Sequence, residues 1–356
     1  MRNLLITCVS LLTLGLTSCS SEQIFQSQSY VFGTLVDITI VDIAEPRARE
    51  LANHVMQDFQ GLHNRLHAWQ ASELSTLNTA FAQGKKVPIS AELTQIINDA
   101  TLLSIESDGL FNPSIGGLIN AWGFQRSELT PVHPNPEKTA GLVKAHPQMA
   151  DIVLEKSTST GLIAYSKNRA VQLDLGGYAK GYALDKAAQY LRSQGVKNAL
   201  INIGGNIIAL GQHGDKPWRV GIQDPRSPSA LATVDLADGW AIGTSGDYQR
   251  YFELDGKRYC HIIDPHTGYP SQGTEAVTIL VPPQLNAGTL SDVLSKPIFL
   301  SAGDQRLAFA KQFQKEFKLD NVMVIDSQHQ VFVTEALAKR LTWIDPNNAK
   351  HVKHLH

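Results

Sequence analysis

The chain has 356 residues, 43% of them hydrophobic, with 31 Lys and Arg against 33 Asp and Glu, a formal net charge of −2. With no basic block it lacks the electrostatic footprint of a nucleic-acid binder, so no nucleic-acid partner is expected. Beyond the N-terminus no stretch is long and apolar enough to span a bilayer, and the length serves one large domain or two with ample core.

The first residues carry a targeting pattern: Arg2, the apolar run LLITCVSLLTLGL, then Leu16-Thr17-Ser18-Cys19. It resembles a bacterial lipoprotein signal, with residues 1–18 removed and Cys19 lipidated; an ordinary secretory signal is the other reading. On the first reading the mature chain is periplasmic and held to the inner or outer membrane by its lipid. Cys8 then leaves with the signal and Cys19 is capped, so Cys260 remains alone, no intrachain disulfide is expected, and a buried structural thiol is its expected role.

Residues 19–29 read as a tether, polar over EQIFQSQS at 22–29, and 30–41 alternates as a strand. Pro46 opens an amphipathic helix over 46–67, with apolar spacing at Leu51, Val55, Phe59, Leu62 and Leu66. Residues 72–78 read as a short capped turn, 91–107 as a helix closed by Asp108-Gly109, and the Pro-rich stretch 131–147 as surface without periodicity. Short strands follow at 161–166, 170–174, 199–203, 206–211, 218–223, 231–236 and 239–243, with one clear helix at 178–194. Strands near 258–263 and 276–281, helices at 287–301 and 304–316, and closing strands near 321–334 complete one domain over 30–345; residues 346–356 read as a frayed tail. The class is α+β, with a large, mostly antiparallel sheet system and flanking helices.

Three Gly-rich segments carry candidate chemistry. In LDLGGYAKGYALD (173–185) a strand runs through paired glycines into a helix, whose first N–H groups suit an anion; a tight turn accounts for it equally well. NIGGN (202–206) reads as a hairpin turn or a close approach, and GTSGDY (243–248) offers hydroxyls and a carboxylate beside flexible backbone. In CHIIDPHTGYP (260–270), Asp264, Pro265 and Gly268 are explained as a turn, whereas His261 stands just before it as a titratable group. Cys260 and His261 are adjacent on a strand, so they point to opposite faces and cannot share a zinc ion. In LSDVLSKP (290–297), Asp292 has Ser295 and Lys296 at i+3 and i+4. That spacing suits a Mg²⁺ site built on one carboxylate, or a plain Asp–Lys helical pair, and of the two it favours the pair.

Taken together, LDLGGYAKGYALDKAA, INIGG, WRVGIQDP, TSGDY, HIIDPHTGYP and SDVLSKPIFL, with FGT at 32–34 and HAWQASELSTLN at 67–78, resemble the ApbE family of FAD:protein FMN transferases. The resemblance covers nearly the whole mature chain and implies an ApbE-like, T-fold-related architecture. It implies Mg²⁺-dependent cleavage of FAD, with FMN passed through a phosphoester bond to a Thr or Ser hydroxyl and AMP released. The acceptor it implies is a flavin-carrying subunit of a membrane electron-transfer complex. By position, Phe32, Trp69, Leu110, Phe111 and Asn112 would surround the flavin, and Gly176, Tyr182, Asp185 and Ile262 would lie around the FAD. Thr244, Ser245 and Asp247 would contact phosphates and His261 would be the catalytic histidine. Asp292 with the Ala179 and Ser295 carbonyls would hold Mg²⁺. Two departures stand out: Asn112 replaces a family aspartate, and Lys296 stands where the family's metal site has threonine. An FAD pyrophosphatase and a flavin-binding lipoprotein without turnover remain the alternative functions.

Overall fold

The computed structural model describes residues 23–126, 128–157 and 161–355; the signal segment and Cys19 lie outside the described residues. Strands β1 (Ile24–Val31) and β2 (Thr34–Val41) precede α1 (Glu45–Arg65), α2 (Glu73–Gln83), β3 (Val87–Pro88), α3 (Ala91–Glu106), α4 (Gly116–Ala121) and α5 (Pro136–Ala145). Next come β4 (Ile152–Ser157), β5 (Gly161–Ser166), α6 (Ala179–Ser193), β6 (Asn198–Ile203), β7 (Asn206–Leu210), β8 (Trp218–Gln223), β9 (Ala230–Leu236) and β10 (Ala241–Gly246). The hairpin β11 (Tyr251–Leu254) and β12 (Lys257–Cys260) leads to β13 (Thr274–Val281), α7 (Ala287–Val293), α8 (Ser295–Leu300) and α9 (Gly303–Phe317). Then follow β14 (Asn321–Asp326), β15 (Val331–Val333), α10 (Glu335–Ala338), β16 (Leu341–Trp343) and β17 (Lys353–His354).

A nine-stranded sheet in the order β1-β2-β6-β7-β10-β13-β14-β15-β17 forms the centre, antiparallel throughout except for the last pair. Because side chains alternate along a strand, each strand serves two cores. Val36, Ile38, Ile40, Ile201 and Ile279 join the apolar stripe of α1 (Leu51, Val55, Phe59, Leu62) and the buried face of α6. Ala209, Ile242, Leu280 and Met323 face the other way, against Trp218, Val220 and Leu231 of the small sheet β16-β9-β8. Strand β13, covered on both faces, is buried at all of its positions, and its buried Thr274 and Glu275 find partners in Arg306 and His329.

The contact that places the site is between α6 and α7. A Cβ on Gly181 would sit 2.4 Å from the Gly288 carbonyl oxygen, and one on Gly288 would sit 2.7 Å from the Gly181 carbonyl oxygen. The helices therefore meet backbone to backbone, which only glycine allows. Asp185 fastens the junction by accepting from the Gly288 N–H (2.7 Å), the Thr289 N–H (2.8 Å) and the Thr289 hydroxyl (2.7 Å).

Several expected elements differ. Residues 24–31, expected within the tether, form an edge strand paired along its length with β2; its outward side chains are Gln and Ser, which hid the alternation. Residues 170–174 are not a strand: Gln172 makes one parallel bridge to Ile115, and the Asp174 N–H bonds the Pro113 carbonyl at 2.8 Å. The Pro-rich stretch contains α5, which Pro136 opens at its first turn and the Asn135 side chain caps. The expected 287–301 helix breaks at Leu294 into α7 and α8. The tail is not frayed: Lys353 and His354 pair with Phe332 and Val333, covering the open edge of β15.

Candidate active site

At one end of the site stands a cluster of flat rings. The tight β1–β2 turn holds Phe32 at φ 56°, against Phe59 (centroids 6.0 Å apart) and His63 (5.7 Å). The rings continue from His63 to His67 (5.2 Å) and on to Trp69 (4.4 Å), which is 39% exposed. Burial lowers the His63 and His67 imidazoles below the ordinary value, so at neutral pH this end presents neutral aromatic surface suited to a planar heterocycle. Leu110 and Phe111, expected around the flavin, are buried members of the main core. Asn112 donates to the Pro147 carbonyl (2.9 Å) and accepts from the Ser114 N–H (3.0 Å), so its amide shapes its own turn.

A second group of residues surrounds His261. His261 follows β12, while Cys260 before it points into the core, where burial pushes its thiol up to about 12. The His261 Nδ1 lies 3.2 Å from the Arg250 carbonyl oxygen. A carbonyl oxygen only accepts, so Nδ1 carries the hydrogen and Nε2 keeps a free lone pair. Burial first, then the positive charges of Arg250 and Lys180, lower the imidazole to about 3; the charge of Lys296 acts in the same direction. The ring is thus neutral at physiological pH, with Nε2 unprotonated, and in the free protein it holds a proton only weakly. Arg250 is itself fixed by donating to the Phe124 (2.9 Å) and Arg126 (3.2 Å) carbonyls, and the negative charge of Asp174 bears on both Arg250 and His67. Asp174 in turn accepts from Gln125 (2.9 Å) and from the Gly176 N–H (3.0 Å), which links the ring cluster to the cationic end.

On the facing side, Asp292 in α7 is almost completely buried. Its Oδ2 accepts the Gly181 N–H at 3.1 Å, and the Lys296 ammonium donates to its Oδ1 at 2.7 Å and to its main-chain carbonyl at 2.5 Å. Burial alone would raise the Asp292 carboxyl; the Lys296 and Lys180 charges outweigh it and hold the group below the usual carboxylate range. Burial lowers the Lys296 ammonium, against the pull of Asp292 and with the repulsion of Lys180.

These residues do not fit the expected Mg²⁺ site. An ammonium has three donors and no lone pair, so Lys296 is no ligand, and it occupies two of the Asp292 oxygens that a cation would use. The Ser295 hydroxyl bonds the Asp292 carbonyl (2.9 Å) and Ser245 (2.8 Å); the two carbonyls expected beside Asp292 belong to Ala179 and Ser295, which open α6 and α8. The Lys296 ammonium also cancels the one carboxylate charge on which a divalent ion would be held. No group of three or more His, Cys, Asp or Glu able to hold a metal occurs among the described residues.

The remaining expected residues divide. Gly176 and Ser245 lie at the site, Ser245 on the α8 side of β10. Thr244, one residue earlier, faces the opposite side and bonds Thr278 at 2.8 Å, as strand alternation requires. Asp247 does not present a free carboxylate, because Arg226 clamps it through two bonds of 2.7 Å. Tyr182 donates to Glu92 of α3 at 2.9 Å, and Asp185 is the α7 fastener described above, where burial, against its three donors, raises it to about 6. Ile262 is buried beside the Cys260 thiol. Sequence reasoning passed over His63, His67, Lys180 and Arg250. Lys180 stood in a quoted motif without a role, and Arg250 acts both through its carbonyl and through its charge from a position outside every quoted motif.

Fold and site together define an α+β protein with a cluster of neutral rings and a cationic, histidine-bearing group, the charge of Asp174 bearing on both. The chain belongs to the ApbE family, whose profile matches residues 32–319. It is 35% identical over 316 residues to an FAD:protein FMN transferase from Rhodobacter capsulatus, covering 89% of this chain but only 58% of that relative's length. An FAD:protein FMN transferase from Vibrio cholerae is 31% identical, covering 79% of this chain and 83% of its own. The crystal structure of the ApbE protein from Thermotoga maritima superposes with a TM-score of 0.80 at 28% identity, covering 89% of this chain and 99% of that one. Among the described residues no helix is long and apolar enough to cross a membrane.

Proposed function

We propose that this chain is an FAD:protein FMN transferase, which moves FMN from FAD to a Thr or Ser hydroxyl of an acceptor protein and releases AMP. The observation that carries the reading is the neutral His261, with Nε2 unprotonated, set beside Lys180, Lys296 and Arg250. In the proposed step the acceptor hydroxyl gives its proton to Nε2 as its oxygen attacks the FMN-side phosphorus. A new P–O bond forms, the bridging P–O bond breaks, and AMP leaves with that electron pair as a phosphate anion. Positive charge around the pyrophosphate lowers the barrier, as in other phosphoryl transfers. The rings of Phe32, His63, His67 and Trp69 receive the flavin.

The reading extends to a flavin-carrying subunit of a membrane electron-transfer complex as acceptor, and to a periplasmic, lipid-anchored location through Cys19. These rest on the family resemblance and on the N-terminal sequence. The expected Mg²⁺ has no step here, because the donor set around Asp292 does not fit it.

The test is incubation of the purified protein with FAD and an acceptor peptide bearing one threonine, read by mass spectrometry. A peptide heavier by FMN, with AMP released, is the expected result. FMN and AMP with the peptide unchanged would mean a pyrophosphatase, and FAD recovered intact but bound would mean a binding protein.

A further inference from the structure

We propose that the Lys296 ammonium, clasped by Asp292 and flanked by Lys180, is the resident cation of this site, so that the chain binds FAD and transfers FMN without a divalent metal. The inference deepens the transferase reading and rests on it.

The first argument is occupancy. Lys296 already donates to Oδ1 and to the carbonyl oxygen of Asp292, and Gly181 donates to Oδ2. Every oxygen that Asp292 offers therefore faces a protein donor. The second is the path of the side chain. A Cβ at Gly177 would fall 2.7 Å from Lys296 Cε, so the lysine stem lies directly across the Gly176-Gly177 turn. The bare glycine is what admits it, so turn and lysine fit one another as a built pair. The third is charge. Lys180, Lys296 and Arg250 stand against Asp292 and Asp174, an excess of positive charge at the end of the site where a pyrophosphate would lie.

A lysine can serve here because the bond changes need no Lewis acid of their own. The hydroxyl proton goes to His261 and the bridging oxygen departs on AMP as an anion. The ammonium groups supply charge and N–H donors to the phosphate oxygens and undergo no covalent change. Asp292, on this view, aims Lys296 and holds it charged.

The experiment uses protein stripped with excess EDTA. FAD binding is followed by quenching of flavin fluorescence in EDTA and again in excess Mg²⁺, and FMN transfer to the threonine peptide is weighed in both. Affinity and transfer should be the same in the two buffers, within about twofold, and Lys296→Gln should weaken FAD roughly tenfold or more in EDTA, the loss of one charge-assisted contact. Electron paramagnetic resonance of added Mn²⁺ should show the wild type leaving the ion free in solution, and Lys296→Ala, which bares Asp292, taking it up. FAD binding or transfer that arises only with Mg²⁺, or Mn²⁺ bound by the wild type, would overturn the proposal. Should no peptide be modified in either buffer, the transferase reading fails by itself, and the FAD titration and the Mn²⁺ spectrum still decide the role of Lys296.

Discussion

One carbonyl oxygen sets the protonation of His261. Because Arg250 fixes the hydrogen on Nδ1, replacing the ring removes the base and leaves the rings that hold the flavin in place. His261→Ala should lower transfer by about 10²- to 10⁴-fold, the range of a general base, with FAD still bound; equal activity by peptide mass would discard the assignment. The same residue makes a pH prediction. Its folded value is about 3 against an ordinary 6.5, so between those limits the unfolded chain holds a proton that the folded chain refuses. Wild-type stability from this group is present above 6.5 and is lost as pH falls toward 3. Asp185, raised to about 6, has the opposite sign, taking up a proton on folding as pH falls through 6 and so favouring the fold at acid pH. Comparison with His261→Ala isolates the histidine: by denaturant titration the variant should gain on the wild type as pH falls, by up to about 1.4 kcal/mol per unit. The burial of Cys260 was legible at this scale, although His261 lies just past the end of β12 rather than on the strand. Thr244 was misplaced by the rule that would have placed it, because Ser245 took the face turned toward α8.

At the scale of elements, α7 owes its position to a carboxylate on another helix. Asp185→Ala would leave the buried Gly288 and Thr289 N–H groups without a partner, and should cost about 3 kcal/mol by denaturant unfolding, with FAD affinity falling as Asp292 loses its register. An unchanged midpoint would mean that water replaces the carboxylate. Long amphipathic elements such as α1 were read within a residue or two because the apolar period is plain. Strand β1 was missed because Gln26, Ser27, Gln28 and Ser29 carry no apolar alternation, its partner β2 supplying the pairing. Helix α5 was missed because Pro136 and the prolines before it read as loop, although proline at a first helical turn costs no hydrogen bond. The break at Leu294 is announced by Pro297, which has no N–H for the Val293 carbonyl, and it lies where Ser295 and Lys296 turn back to the Asp292 carbonyl.

For the molecule as a whole, the class was legible from the alternation of strand and helix patterns, while the closing of the sheet was not. Residues 346–356 carry too little apolar content to suggest a strand, yet β17 seals the last edge of nine. A chain lacking 346–356 should keep its FAD affinity and show more self-association by light scattering, because β15 then offers unpaired N–H and C=O groups. Scattering equal to that of the intact chain would mean the edge is guarded by something other than β17. The candidate site was legible as a set of motifs, and the Lys296–Asp292 pair from its i, i+4 spacing, but the charge balance was not: Lys180 and Arg250 add their charge around His261 from distant parts of the chain.

The bare meeting of Gly181 and Gly288 also bears on rates. Two helices locked backbone against backbone, and fastened by the three bonds that Asp185 accepts, have no soft coordinate along which to slide. The cationic end of the site is then already assembled before FAD arrives, and little ordering entropy is spent there on capture. Association should follow a single exponential whose rate rises in proportion to FAD concentration without a plateau. Amide exchange in α6 and α7 should be slow in the free protein and barely slower in the complex.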